Sequence, residues 1–290
     1  MDIIKDTNLK FVLKRKLFYK ISAIVILFGI ISLLFQGFNY GIDFAGGTLI
    51  QLDFAENTSV ADIRSVLAEM NLASSTIQTL TNNEFVIRTD QTAIDQRNEI
   101  LNHIEENVGV FEVLKVEMVG PVIGDSLKQL ALMAIIFAFI GIIIYITIRF
   151  EFKYAITSII ALGHDVLIAL GVLSLLQKEI TIPIIAAVLT IVGYSLNNTI
   201  VIFDRLRENR KLKTRASLES IIDLSINQSL TRTINTAITT LLPVLALYFF
   251  GGTLSDFAFV LLVGITVGTY SSICMAGPLL LELQKRTKMP

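Results

Sequence analysis

Apolar and polar positions alternate along this chain on two length scales, and the longer one sets the architecture. One apolar run, Leu17 to Phe35, stands near the N-terminus, and five more follow at roughly 129–148, 154–176, 182–203, 234–250 and 257–283. Each is close to or above the ~20 residues that carry a helix across a bilayer. Six crossings are predicted, the first over residues 17–36 and the other five making up a transmembrane region 128–290. Residues 37–127 follow the shorter scale. TLIQLDF (Thr48 to Phe54), Ser75 to Leu80, EFVIRTD (Glu84 to Asp90) and FEVLKVEMV (Phe111 to Val119) read as strands. Helices are expected from Val60 to Met70, capped by Ser59 with Asp62 three residues on, and from Thr92 to about Asn107 before Gly109. The succession βαββαβ is the ferredoxin-like pattern, so the predicted fold is an α-helical polytopic membrane protein with one extracytoplasmic α+β domain between helices 1 and 2.

Charge orients this arrangement. The N-terminal segment 1–16 carries Lys5, Lys10, Lys14, Arg15 and Lys16, and Lys20 follows early in the first run. With no small-residue cleavage site after it, this run is expected to stay as an uncleaved helix with its N-terminus in the cytoplasm. From Gly37 to Asp125 there are fourteen Asp and Glu against Arg64, Arg88, Arg97 and Lys115, as suits the outer face. Arg149 and Lys153, a cytoplasmic loop 204–233 opening with Arg205, Arg207, Arg210, Lys211, Lys213 and Arg215, and the tail Lys285, Arg286 and Lys288 mark the inner face. The short, nearly neutral loop around Lys178 and Glu179 fits the outside.

A hydrophobic fraction of 53% and a mean hydropathy of +0.68 argue against a soluble enzyme with a large core. Cys274 is the single cysteine, and His103 and His164 lie far apart, so neither a disulfide framework nor a zinc site is expected. No P-loop, HExxH or dinucleotide fingerprint occurs. The expectation is therefore a protein that is no enzyme, holds no cofactor or metal, and binds no nucleic acid. In FNYGIDFAGGTLI, Gly41, Gly46 and Gly47 let the chain turn between membrane and first strand, and no helix is expected there to receive an anion.

Candidate chemistry lies in polar residues inside the apolar runs. Asn197 and Asn198 sit about 100° apart on a helix, so at least one must face protein or a wet cavity. His164 and Asp165 fall near the centre of the third run, where an ionised carboxylate costs at least ~2.5 kcal/mol on insertion scales and needs a partner or a proton. Arg232, Asn235, Thr236, Thr239 and Thr240 recur at i, i+3, i+4, i+7 and i+8, one polar face of the fifth run. For all of these an ion pathway stands beside plain interhelical hydrogen bonding, and Arg232 could instead snorkel to the headgroups. Gly264 and Gly268 in GITVG read as a close-packing face.

FNYGIDFAGGT, LGHD, VGYSLNNTIVIFDRLREN, NQSLTRTINTAITTLLP and GGTLSDFAFVLLVGITVGTYSSI together resemble the SecF family, the smaller subunits of the SecDF accessory complex of the bacterial Sec translocon, within the RND permease superfamily. The resemblance runs over nearly the whole chain. It implies a subunit of the cytoplasmic (inner) membrane that pairs with a SecD-like partner. The pair draws unfolded preproteins from SecYEG at the expense of a proton gradient, or of sodium in some members. The family's fourth-helix acid falls on Asn198 and its fifth-helix arginine on Arg232. An amide at position 198 cannot exchange a proton near neutral pH, which is a departure from the family pattern. Half of an RND-type exporter of lipids or small molecules is the alternative, and a membrane-anchored assembly factor is a third reading.

Overall fold

The computed structural model describes residues 8–80, 83–90 and 93–286. In chain order the elements are α1 (Arg15–Gln36), β1 (Asn39–Tyr40), α2 (Ile42–Ala45), β2 (Gly47–Phe54), α3 (Val60–Glu69), β3 (Thr76–Thr79), β4 (Glu84–Thr89), α4 (Ile94–Asn107), β5 (Phe111–Val119) and α5 (Pro121–Arg149). There follow α6 (Phe152–Leu175), β6 (Glu179–Ile180), α7 (Ile182–Leu212), α8 (Leu218–Phe250), a 3-10 turn Gly252–Leu254, α9 (Ser255–Ser271), a π turn Ser272–Ala276 and α10 (Gly277–Arg286). Lys5 and Lys288 of the predicted basic ends, and Thr92 at the predicted start of α4, lie outside the described residues. The chain is predominantly helical and falls into two compact units. One comprises the residues up to Asn39, Ala134–Lys178 and those from Pro183 onward; the other comprises Tyr40–Met133 and Glu179–Ile182.

In the second unit the four longer strands form an antiparallel sheet in the order β3-β4-β2-β5. Alternation places Ile50, Leu52 and Phe54 of β2 on one face with Phe85 and Ile87 of β4, and the apolar sides of α3 (Ile63, Val66, Leu67) and α4 (Ile100, Ile104) cover them. Phe54 packs edge-on against Phe85 and Phe111. As an edge strand β5 stays largely open, with Val113 and Leu114 exposed. Gly46 and Gly47 turn the chain into β2 with φ of 79° and 125°, and a Cβ on Gly47 would drive into the Thr89 carbonyl. One expectation fails just before them. The glycine-rich segment holds the single helical turn α2, whose first residue follows Gly41.

Six helical stretches among the described residues are long and apolar enough to cross a membrane, which makes the chain a multi-pass membrane protein. The predicted loop 204–233 is not a loop. Residues 204–212 complete α7 and 218–233 are the first half of α8, leaving 213–217 as the connection. Ser217 caps α8 by accepting from the Ser220 amide. The buried residues Ile221, Ile222, Ser225, Ile226, Ser229, Leu230 and Thr233 then recur at helical spacing, so an amphipathic helix continues straight into the apolar run. The second crossing likewise begins early, at Pro121. The sixth is broken by the π turn. Helices α1 and α6 touch backbone to backbone at Gly29 and Gly171, and Ser32 and Ser174 bond across the same seam at 2.9 Å.

The predicted cap of α3 is present in full. The Ser59 hydroxyl accepts from the Asp62 amide at 3.2 Å and donates to the Asp62 carboxylate at 2.7 Å, and the Ser59 amide donates to the same carboxylate at 3.1 Å. The bonds from Ser59 hold the Asp62 carboxyl below its usual range. A depressed folded-state value means that the cap's contribution is present above the ordinary carboxylate value and is lost as pH falls through the lowered one. Protection of the amides in the first turn of α3, taken relative to their intrinsic exchange rates, should therefore fall on acidification below about pH 4, and should already be low at neutral pH in Ser59→Ala. Unchanged protection in both cases would refute this capping account.

Candidate functional site

Asp165, fully buried, lies in α6 within a membrane helix. A carboxylate there must collect hydrogen bonds from the bundle itself, because lipid offers none. It collects three. His164 Nδ1 lies 2.8 Å from Oδ1, while the hydroxyls of Ser195 from α7 and Ser271 from α9 donate to Oδ2 at 2.5 and 2.8 Å. Against an ionised carboxylate, which only accepts, Nδ1 is the donor of that pair. The His164 ring stacks on Tyr270 at 6.2 Å, and Tyr270 in turn donates to the Phe18 carbonyl of α1. His164 Nε2 is buried and has no hydrogen-bond partner among the described residues.

Close approach of α7 and α9 makes this convergence possible. A Cβ added to Gly268 would stand 2.9 Å from the Ser195 Cβ, and one on Gly264 would overlap Ile191. The predicted small-residue face thus packs directly against α7. Next along the chain, Ser272 donates to the Gly268 carbonyl at 2.8 Å and lies 3.0 Å from the Thr199 hydroxyl. The π turn starts at that residue, and such turns inside helices are frequent at functional sites.

The remaining candidates form a second, separate set. Asn198 is buried and its amide nitrogen has no hydrogen-bond partner among the described residues, whereas Asn197 is exposed. On α8, Arg232 and Thr239 are exposed, Asn235 and Thr236 are half-buried, and Asn235 Oδ1 is buried without a partner. The pairs Asn209 with Ser225 and Arg205 with Gln228 fix an antiparallel register between α7 and α8. The predicted polar face of α8 is nevertheless less open than its composition suggests. Thr236 donates to the Arg232 carbonyl, Thr239 to that of Asn235 and Thr240 to that of Thr236, so these hydroxyls turn back on their own helix. Arg232 makes no ion pair among the described residues, with Asp165 or any other acid. Sequence reasoning joined Asp165 to a pathway but did not find Ser271, Ser272 or Tyr270, although TYSSI in the last apolar run carried a signal in its cluster of hydroxyls.

These features define a class: a polytopic helical membrane protein that carries a fully hydrogen-bonded carboxylate inside its bundle. The chain belongs to the SecD/SecF protein-export membrane protein family. The family description "Protein export membrane protein SecD/SecF, C-terminal" matches residues 99–286, and "SecD/SecF GG Motif" matches residues 31–57, which include Gly46 and Gly47. The chain is 42% identical over 290 residues to the protein translocase subunit SecF of Sebaldella termitidis, covering 98% of this chain and 94% of that protein. It is 43% identical over 280 residues to the SecF of Desulfurispirillum indicum, covering 92% and 88%. Among solved structures it is similar to SecDF, a translocon-associated membrane protein from Thermus thermophilus, with a TM-score of 0.90 and 38% identity. That similarity covers 97% of this chain and 39% of the SecDF chain, so this chain spans about two-fifths of it. A SecDF structure in its super-membrane-facing form gives a TM-score of 0.73, also at 38% identity.

If the contact at Gly268 is what brings Ser195 and Ser271 onto Asp165, Gly268→Ala should force α9 from α7 and destabilise the purified protein by about 1–3 kcal/mol, as overpacking does. Gly193→Ala, whose Cβ meets nothing within 4 Å, should be neutral. Thermal unfolding in detergent measures both, and equal melting temperatures for the two variants would show that the contact is slack.

Proposed function

We propose that this chain acts as an auxiliary subunit of the Sec protein-export machinery, pairing with a SecD-like subunit to convert a proton or sodium gradient into preprotein movement through SecYEG. The observation that carries the reading is the correspondence with SecF subunits over nearly the entire chain at about 40% identity. A partner is supported further by the apolar helices α7 and α8, which expose Asn197, Arg232 and Thr239 within membrane-length apolar runs, uncovered by any of the described residues. The work is mechanical and needs no bond-making chemistry from this chain.

In this reading both termini and the connection around 204–233 are cytoplasmic, as the Lys and Arg distribution favours. The α+β unit, taken as residues 37–127 with a ferredoxin-like fold, stands outside. His164 and Asp165 hold the interior polar centre, and Asn197, Asn198, Arg232, Asn235, Thr236 and Thr239 line the coupling face. Because Asn198 cannot exchange a proton, the titrating group there comes from the partner's opposing helix, or sodium takes its place on amide and hydroxyl oxygens.

Secretion in a depletion strain tests the reading. Asp165→Asn and Arg232→Ala should each lower export with normal membrane insertion, and collapsing the proton and sodium gradients separately should identify the coupling ion. Normal export from both variants at normal protein level would leave the intramembrane charges without a transport role. Asn198→Asp should shift the pH dependence of export, because two nearby carboxylates in low dielectric raise at least one pKa. It should also partly rescue loss of the partner's acid. Single cysteines at Thr58 and Lys213 test the orientation with an impermeant thiol reagent, and labelling of 213 with protection of 58 in intact cells would reverse it.

A further inference from the structure

Away from the bundle interior, residues of α5, α6 and α7 line an open-sided cavity of about 570 Å³. Arg149, Arg207, Arg210 and Lys211 line it, against the single carboxylate of Glu151. Arg149 is engaged, with Asp204 at 2.8 Å and the Tyr145 hydroxyl at 3.2 Å. The other three have no carboxylate within ion-pair distance among the described residues; Arg207 reaches only the Arg149 carbonyl, at 3.4 Å, and Arg210 lies beside the Tyr154 hydroxyl. Three cations gathered around one hollow repel each other unless an anion sits between them.

The floor of the hollow is built from packed side chains. Tyr154 stacks edge-on with Phe203 at 5.0 Å, Phe150 packs on both rings, and the Arg149 guanidinium lies 5.6 Å above the Phe150 ring. Phe150 and Tyr154 are buried and part of the main core, so the cations project from a fixed base. The wall above is apolar. Phe137, Ile140, Ile144 and Ile148 lie along one exposed face of α5 that ends at the cavity, with Ile148 83% exposed. Phe152, next in sequence to the lining residue Glu151, is 61% exposed.

We propose that this groove binds the headgroup phosphate of an anionic phospholipid, with an acyl chain lying along the exposed face of α5. The charge calls for an anion, and the apolar track leading into the charge selects one that carries hydrocarbon over free phosphate. The site sits at headgroup depth whichever side of the membrane that end faces, so it stands independently of the export reading.

Native mass spectrometry of the full-length protein, released from micelles containing equal phosphatidylglycerol and phosphatidylcholine, tests this directly. A single phosphatidylglycerol should be retained, and Arg207→Gln/Arg210→Gln/Lys211→Gln should weaken that retention by at least about tenfold, since each cation near a headgroup contributes a several-fold factor. Lys213→Gln/Arg215→Gln/Lys285→Gln, which removes the same charge elsewhere, should leave it unchanged. Equal loss in the two variants would reduce the effect to diffuse electrostatics and overturn the site. Displacement of the lipid by millimolar inorganic phosphate would make the groove a free-phosphate site and overturn the lipid assignment, as would equal retention of phosphatidylcholine. Melting temperatures of both variants, measured alongside, separate lost binding from lost folding.

Discussion

A carboxylate in the middle of a membrane bundle leaves little freedom to what surrounds it. Insertion scales put the cost of Asp165 at ~2.5 kcal/mol or more, and the bundle offsets it by bringing a donor from each of two other helices onto one oxygen, with the neighbouring His164 on the other. Those donors are serines, short enough that α7 and α9 must approach α6 and each other closely. Gly264 and Gly268 allow that approach. The glycines in GITVG, the hydroxyls of Ser195 and Ser271 and the acid in LGHD are therefore parts of a single constraint, although more than a hundred residues separate the first from the last.

The crossings were legible because an apolar run of membrane length has few other uses, and the sheet because period-two alternation and the Ser59 to Asp62 cap leave local marks. What the sequence hid shares a physical reason. The loop expected over 204–233 reads as polar and basic, yet one face of it, Ile221, Ile222, Ile226 and Leu230, continues the apolar stripe of α8. Positive charge on the outer face of a helix resembles charge in a loop when only the average is weighed. Ser271 was hidden for another reason. A hydroxyl in a membrane helix commonly bonds its own backbone, as Thr236, Thr239 and Thr240 do, and nothing in residue type alone separates those from a hydroxyl aimed at a distant acid.

The polar residues thus divide by where their hydrogen bonds go. Around Asp165 both carboxylate oxygens are satisfied inside this chain, although His164 Nε2 beside them is buried without a partner among the described residues, and the three bonds suit a centre that clamps three helices. On α7 and α8 other polar groups are left unsatisfied: among the described residues the Asn198 amide nitrogen and Asn235 Oδ1 are buried without partners, and Arg232 has no counter-charge. Unsatisfied polar atoms at membrane depth cost free energy that a free subunit has no means of recovering. Such a face is stable only against something that supplies the missing donors and acceptors, which is the physical content of pairing in the proposed export complex.

Depth in the membrane sorts the charges in the same way. Asp165 is held by two hydroxyls and an imidazole in the interior, and the cations of α7 collect at its far end, where Arg205 finds Glu208 and Arg149 of α5 finds Asp204. Arg207, Arg210 and Lys211 exceed what those acids can neutralise, and they surround a hollow that opens onto an apolar helix face. A surplus of one sign on an ordinary solvated surface would need no explanation, since water and salt screen it. At the rim of a bilayer, beside exposed Ile148 and Phe152, the screening medium is the headgroup layer, and the counter-ion that fits both charge and hydrocarbon is a lipid.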